Sequence, residues 1–355
     1  HYLAGRDGLL VTPTGSGKTL AALGGPLLQA LRDPPPPKRK RGEIVAARTR
    51  VLWITPLRAL ANDTTRALRE PIEALGLPWT VAMRTGDASA RDKRLARNGQ
   101  SDVLVITPES LALLLSYPET TDQLRGLRAV IVDEGQDISE PWRDFIFRHA
   151  RPDARILWLE DPLQNLYGRP PTPLPGWVTL RTQSNYRSPR PIVELLRRLL
   201  PGELDIEAAS PIAADDIEIL DYADTQGMFA RVKEAIRLCY SAGFKKHDLA
   251  IVSYHGRAQS HLLALDALGQ TSLRRFTGDY DLFGQPVYSP GDVLVESVYR
   301  FKGQAAPAVI FTEIDFAVLD DQAVRKLFVG ATRSSMKLVL ILHQKSAAGL
   351  LERLH

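Results

Sequence analysis

Residues Thr12 to Thr19 read TPTGSGKT and follow Gly8-Leu9-Leu10-Val11, an apolar run with the pattern of a buried parallel strand. A glycine loop that leads from such a strand into a helix, closed by Lys and Thr, is a phosphate cradle. Gly15 and Gly17 let backbone N–H groups approach the β- and γ-phosphates of a nucleotide, with Thr14 and Ser16 completing the loop. Lys18 supplies a point charge, and the Thr19 hydroxyl can ligate Mg²⁺.

Outward from this loop, strand-like runs recur at Val51–Thr55, Trp79–Met83, Val103–Thr107, Ala129–Val132, Ile156–Leu159, Ala250–Ser253, Val293–Val298, Ala308–Thr312 and Lys337–Leu342. Stretches with helical period separate many of them, among them Ala59–Glu70, Ser110–Leu115, Pro191–Leu200 and Met228–Ala242. Alternation of this kind predicts doubly wound α/β architecture, with parallel sheets covered on both faces and functional loops leaving the carboxyl ends of strands. Asp133 and Glu134 follow the apolar run Ala129–Val132 directly. At a strand end, beside a phosphate loop, the first acid suits Mg²⁺ and the second suits a general base for the attacking water.

The 355 residues suit about two domains, with the boundary expected near residue 182, after the proline-rich Pro170–Pro175. A single cysteine, Cys239, excludes an internal disulfide framework and a cysteine-based zinc site. No run approaches the roughly 18 to 20 apolar residues of a membrane span, and no signal peptide opens the sequence. A cytoplasmic protein without a membrane partner is the expectation. Residues 1–132 hold 19 Lys and Arg against 12 Asp and Glu, whereas residues 133–355 hold 26 against 29. That asymmetry suits a polyanion laid mainly on the first part. Asp33–Arg41, DPPPPKRKR, reads as an exposed basic loop because its four prolines exclude helix and central strand.

Residues 5–132 resemble the first motor domain of superfamily-two helicases of the Lhr type, including the bacterial group associated with DNA ligase. The resemblance rests on GLLVTPTGSGKT, ITPLRALAND at Ile54–Asp63, RTGD at Arg84–Asp87 and VLVITPESLALLLS at Val103–Ser116. From Asp133 the pattern resembles superfamily one, the UvrD/Rep-like class. It runs through DEGQD at Asp133–Asp137, LEDPLQNLYG at Leu159–Gly168, NYRSP at Asn185–Pro189, VYRFKGQAAPAVI at Val298–Ile310 and FVGATR at Phe328–Arg333. The resemblance implies two RecA-like domains of a P-loop NTPase, residues 1–182 and 183–355, with ATP and Mg²⁺ as cofactors. ATP would be hydrolysed between the domains to drive movement along single-stranded DNA, and DNA-repair proteins become candidate partners.

The same resemblance implies roles for individual residues. Gln164 senses the γ-phosphate or its water, Tyr186 stacks on the adenine, Gly303 belongs to the nucleotide site, and Arg187 and Arg333 act as arginine fingers. Thr55, Pro56, Arg58, Thr85, Gly86, Thr107 and Glu109 lie on the loops that resemble track contacts, where hydroxyls, backbone N–H groups and one Arg hold phosphates without reading bases. No Trp or Tyr of the middle of the first domain is assigned to base stacking.

The pattern changes between Val132 and Gln136, at a strand and acid pair common to both superfamilies, so a recombined hybrid and a divergent natural chain are both consistent with it. Ala305 stands where KGLE-type motifs carry a ribose-binding Glu, which weakens the case for tight nucleotide binding. Two other functions fit the motifs: a nucleotide-binding module without motor activity, and an RNA helicase, since discrimination of the 2′-OH is not written in these loops.

Overall fold

In the computed structural model the described residues are 1–13, 15–33, 48–56, 58–86, 88–199, 206–211, 217–281 and 286–354. Thr14 and all but the first residue of the basic loop Asp33–Arg41 therefore lie outside them. The chain forms two compact units: His1–Thr12, Gly17–Pro162 and Arg169–Thr182 in the first, and Pro13–Ser16, Leu163–Gly168 and Gln183–His355 in the second.

The described residues of the first unit form seven strands, β1 (Gly8–Val11), β2 (Val51–Ile54), β3 (Val81–Arg84), β4 (Val103–Ile106), β5 (Ala129–Val132), β6 (Arg155–Glu160) and β7 (Val178–Arg181). They form one parallel sheet in the order β3-β4-β2-β5-β6-β1-β7. Its helices are α1 (Lys18–Arg32), α2 (Arg58–Ala74), α3 (Ala90–Arg97), α4 (Pro108–Leu115), the single turn α5 (Thr120–Gln123) and α6 (Glu140–His149).

The unbroken apolar runs have a direct explanation. Val51 and Trp53, Val103 and Val105, and Ala129 and Ile131 enter one core, while Leu52 and Ile54, Leu104 and Ile106, and Val130 and Val132 enter the core on the opposite face. Because side chains alternate along a strand, a strand covered on both faces must be apolar at every position.

The second unit is built on β10 (Glu218–Tyr222), β11 (Leu249–Ser253), β12 (Ala267–Leu268), β13 (Thr271–Tyr280), β14 (Pro286–Tyr288), β15 (Val293–Ser297), β16 (Ala306–Ile314) and β17 (Ser334–His343), preceded by the short pair β8 (Ser184–Asn185) and β9 (Glu207–Ala208). The order β10-β17-β16-β11-β15-β13 is parallel, but β12 and β14 pair with β13 antiparallel. The sheet is thus parallel through its middle and mixed at this end. Helices α7 (Arg190–Leu199), α8 (Thr225–Ser241), α9 (Val298–Phe301), α10 (Asp321–Ala331) and α11 (Gln344–Leu354) complete the unit. Leu163 and Leu166 are buried in its core with Ile192, Val193 and Phe301, which explains why the segment Leu163–Gly168 groups with it although it follows β6 in the chain.

Candidate functional site

Strand order sets the site in the first unit. The strand leading into the phosphate loop, β1, and the strand ending at the acid pair, β5, are separated by one strand, β6. With strands roughly 4.8 Å apart, the two functional ends stand about 10 Å from each other, a span that a lysine side chain bridges.

Lys18, at the first position of α1, does so. Its Nζ lies 3.2 Å from Asp133 Oδ1 and donates to Glu134 Oε1. The three side chains are only 13, 7 and 6% exposed. Burial alone would lower the Lys18 ammonium, but the charges of Asp133 and Glu134 reverse that and hold it above the ordinary lysine value. Burial raises Asp133 above the ordinary carboxylate value, with Lys18 opposing and Glu134 reinforcing the shift. One cation against two carboxylates leaves the cluster electron-rich, and its donors are hard oxygens.

Glu134 is held by more than Lys18. Its backbone sits in the left-handed region at φ 49°, and its N–H donates to Asp133 Oδ1 at 3.0 Å. Such a conformation is uncommon outside glycine and is retained where surrounding contacts enforce it. Gln136 provides one: its Nε2 donates to Glu134 Oε2 at 2.7 Å, and its Oε1 accepts from Asp161 N at 3.0 Å. Gln136 thereby ties the acid pair to the end of β6, a positioning role that the sequence reading did not assign although the residue stands inside DEGQD.

Gly135 is required for a separate reason. A Cβ there would lie 2.1 Å from Nε1 of Trp158, which is completely buried and donates to Glu160 Oε2 at 3.3 Å. Gly135→Ala is expected to lose about 1–3 kcal/mol of stability through overpacking, measured as a lower midpoint in urea unfolding. An unchanged midpoint would mean that the indole yields without cost.

In the second unit the structure brings NYRSP onto the phosphate loop. Tyr186 N donates to Gly15 O at 2.9 Å, and Asn185 Oδ1 accepts from Arg187 N at 3.0 Å and Ser188 N at 2.7 Å. Gly15 has φ +80°, and a Cβ on it would meet Arg187 Cβ at 2.4 Å. The close approach as well as the left-handed backbone thus demands glycine. Tyr186 is 56% exposed. Ser16 and Thr19 are partly buried and Gly17, the N-cap of α1, is exposed.

Gln164 is buried in the turn after β6, where its backbone oxygen accepts from Lys302 Nζ at 2.7 Å. Lys302, only 1% exposed, was not singled out from the sequence. Gly303 beside it takes φ +85°. Arg333 is 1% exposed, and its guanidinium donates to Val329 O at 3.0 Å, Gln304 O at 3.3 Å and Thr332 Oγ1 at 3.0 Å. Arg333, read from the sequence as an arginine finger, thus also holds the end of α10 in place.

The residues read as track contacts divide. Thr55, Thr85 and Thr107 are at most 2% exposed, so their hydroxyls do not lie open to a phosphate as the sequence reading expected. Thr107 instead caps α4, accepting from Ser110 N at 3.4 Å. Gly86 and Glu109 are exposed and Pro56 is partly buried, while the Arg58 side chain lies outside the described residues.

Fold and cradle define a nucleotide-binding α/β protein with a P-loop, and comparison with known proteins narrows the class. Residues 1–155 match the DEAD/DEAH box helicase family, and residues 292–341 match the UvrD-like helicase C-terminal domain. The first match continues past Val132, through β5 and α6. The Lhr helicase/probable uracil glycosylase of Mycolicibacterium smegmatis is 39% identical over 140 residues, 37% of this chain and 9% of that protein. The ATP-dependent helicase Lhr-Core protein 2 of Thermococcus barophilus is 35% identical over 174 residues, 46% of this chain and 18% of that protein. The fold is similar to that of the DEAD-box helicase Mss116 bound to ssRNA and UDP-BeF, with a TM-score of 0.58 at 13% identity over 96% of this chain and 67% of that one. The amino-terminal part thus matches a helicase family model and is similar to Lhr helicases, and the carboxyl-terminal part matches a UvrD-like helicase domain. It spans at most 18% of the length of these two Lhr relatives. No described helix is long and apolar enough to cross a membrane.

Proposed function

We propose that this chain is an ATP-driven helicase or translocase acting on single-stranded DNA in the cytoplasm, with residues 1–182 and 183–355 as its two RecA-like domains. The observation that supports it best is the buried cluster of Lys18, Asp133 and Glu134 at the ends of strands flanking β6. Among the described residues no group of three or more His, Cys, Asp or Glu could hold a metal by itself. Magnesium suits such a site, because it is commonly held by one or two protein oxygens together with substrate phosphates. Asp133 and Thr19 would hold it, and the Thr14–Thr19 loop would hold ATP.

When bound, Mg²⁺ and ATP supply charge neutralisation and the phosphoanhydride that is cleaved. Lys18 exchanges its contacts with the acids for the β- and γ-phosphates. Glu134, then freed from the ammonium, accepts the proton of the water that attacks the γ-phosphorus, and Gln136 keeps its carboxylate oriented. Gln164 orients that water. Tyr186 stacks on the adenine beside Gly303, and Arg187 and Arg333 stabilise charge on the transferring phosphoryl group. Those second-domain roles rest on the resemblance of NYRSP and FVGATR to superfamily-one motifs.

The test is strand displacement from a duplex with a single-stranded tail, as DNA and as RNA. The expected result is ATP- and Mg²⁺-dependent release of the DNA strand. Absence of ATP-dependent displacement and of translocation on either polymer would contradict the proposal.

A further inference from the structure

Between α3 and the end of α4 the first unit carries a groove of about 700 Å³. One wall is basic, with Lys93, Arg94 and Arg97 from α3 and Arg84 from the end of β3, and among the described residues no carboxylate lines it. The other wall is apolar: Leu113 is 55% exposed and Tyr117, four residues on, is 37% exposed. The Tyr117 ring is held by cations, since the guanidinium carbons of Arg84 and Arg97 each lie over it, 5.9 Å from its centroid. Gly86, on the RTGD loop, forms part of the rim and is pinned to α3 by Lys93 Nζ, which donates to its carbonyl at 2.8 Å.

A groove for a bare phosphate needs the cations but not two exposed apolar side chains beside them. A nucleotide needs both, because its base has an apolar face and its phosphate a charge. We propose that this groove holds one nucleotide of the single strand, with the base against Tyr117 and Leu113 and the phosphate against Lys93, Arg94 and Arg97. The inference rests on the nucleic-acid reading above and deepens it by adding a stacking contact to loops that otherwise hold only the backbone. Any base presents a π-face, so the contact does not select sequence.

The test is the affinity of labelled single-stranded DNA for the whole chain, measured by anisotropy at several salt concentrations. Tyr117→Ala is expected to weaken binding about ten-fold on mixed sequences, whereas Tyr117→Phe retains it. An oligonucleotide of abasic sites should bind Tyr117→Ala and the parent equally, and Arg94→Gln should lower the salt slope by about one. Leu113→Ser, at the more exposed position, provides a second variant on the same wall, and thermal melts check that both remain folded. Parent-like affinity of Tyr117→Ala and Leu113→Ser for ordinary DNA would overturn the groove while leaving the helicase reading intact. Failure of the parent itself to bind single strands would overturn both.

Discussion

Glu134→Gln is expected to bind ATP as the parent does and to lose on the order of 10²- to 10⁴-fold in turnover, the usual contribution of a general base. The geometry makes this substitution a clean one. Glu134 is fixed by Lys18 on one carboxylate oxygen and by Gln136 on the other, and an amide of the same shape retains an oxygen for one of these donors. Lys18 keeps Asp133 as its partner, so the cluster does not leave a buried cation alone. What the amide cannot do is accept the proton of the attacking water. Nucleotide affinity by fluorescence titration, together with single-turnover hydrolysis, separates binding from chemistry. Parent-like hydrolysis would remove Glu134 from the role of base.

Removal of the Arg187 side chain is expected to cost on the order of 10³-fold in turnover at saturating ATP, with nucleotide binding largely retained, as for arginine fingers in general. Arg187 is the better probe of the two arginines. It is exposed, whereas Arg333 is buried with hydrogen bonds to Val329, Gln304 and Thr332, so Arg333→Ala would combine any catalytic loss with unpaired carbonyl groups in the core. Arg187→Ala also leaves intact the backbone bonds that seat NYRSP, since Asn185 Oδ1 receives the N–H groups of residues 187 and 188 rather than the guanidinium. A turnover within a few-fold of the parent would assign Arg187 to the surface.

Much of the first unit was legible because its strands are buried on both faces. The runs at β2, β4 and β5 are apolar at every residue, and no other local structure of that length accounts for the pattern so simply. The phosphate loop was legible through glycine: Gly15 and Gly17 both adopt positive φ. β13 was not legible. Its sequence TSLRRFTGDY buries only Leu273 and Phe276, and the strand is completed by neighbours distant in sequence, such as Arg300, whose guanidinium lies 3.7 Å from the Phe276 ring centroid. The edge strand β7 is similarly exposed at three of four positions and follows a proline-rich segment.

The candidate site divides in the same way. The residue types of the cradle and the acid pair are set by local chemistry, and both could be read from spacing. The seating of Tyr186 on Gly15, the burial of Lys302 against Gln164 and the fixing of Tyr117 by Arg84 and Arg97 depend on contacts between segments far apart in the chain. Thr55, Thr85 and Thr107 show the converse. Their positions in the motifs suggested hydroxyls that hold phosphates, but each directly follows a strand and is buried there.

Steady-state ATP hydrolysis with Mg²⁺, measured with and without single-stranded DNA, tests the central claim most directly. A motor whose nucleotide site responds to its track hydrolyses ATP faster when the strand is present, and the stimulation should disappear in Glu134→Gln. Equal rates with and without DNA, or with RNA in its place, would contradict the account and leave a nucleotide-binding module.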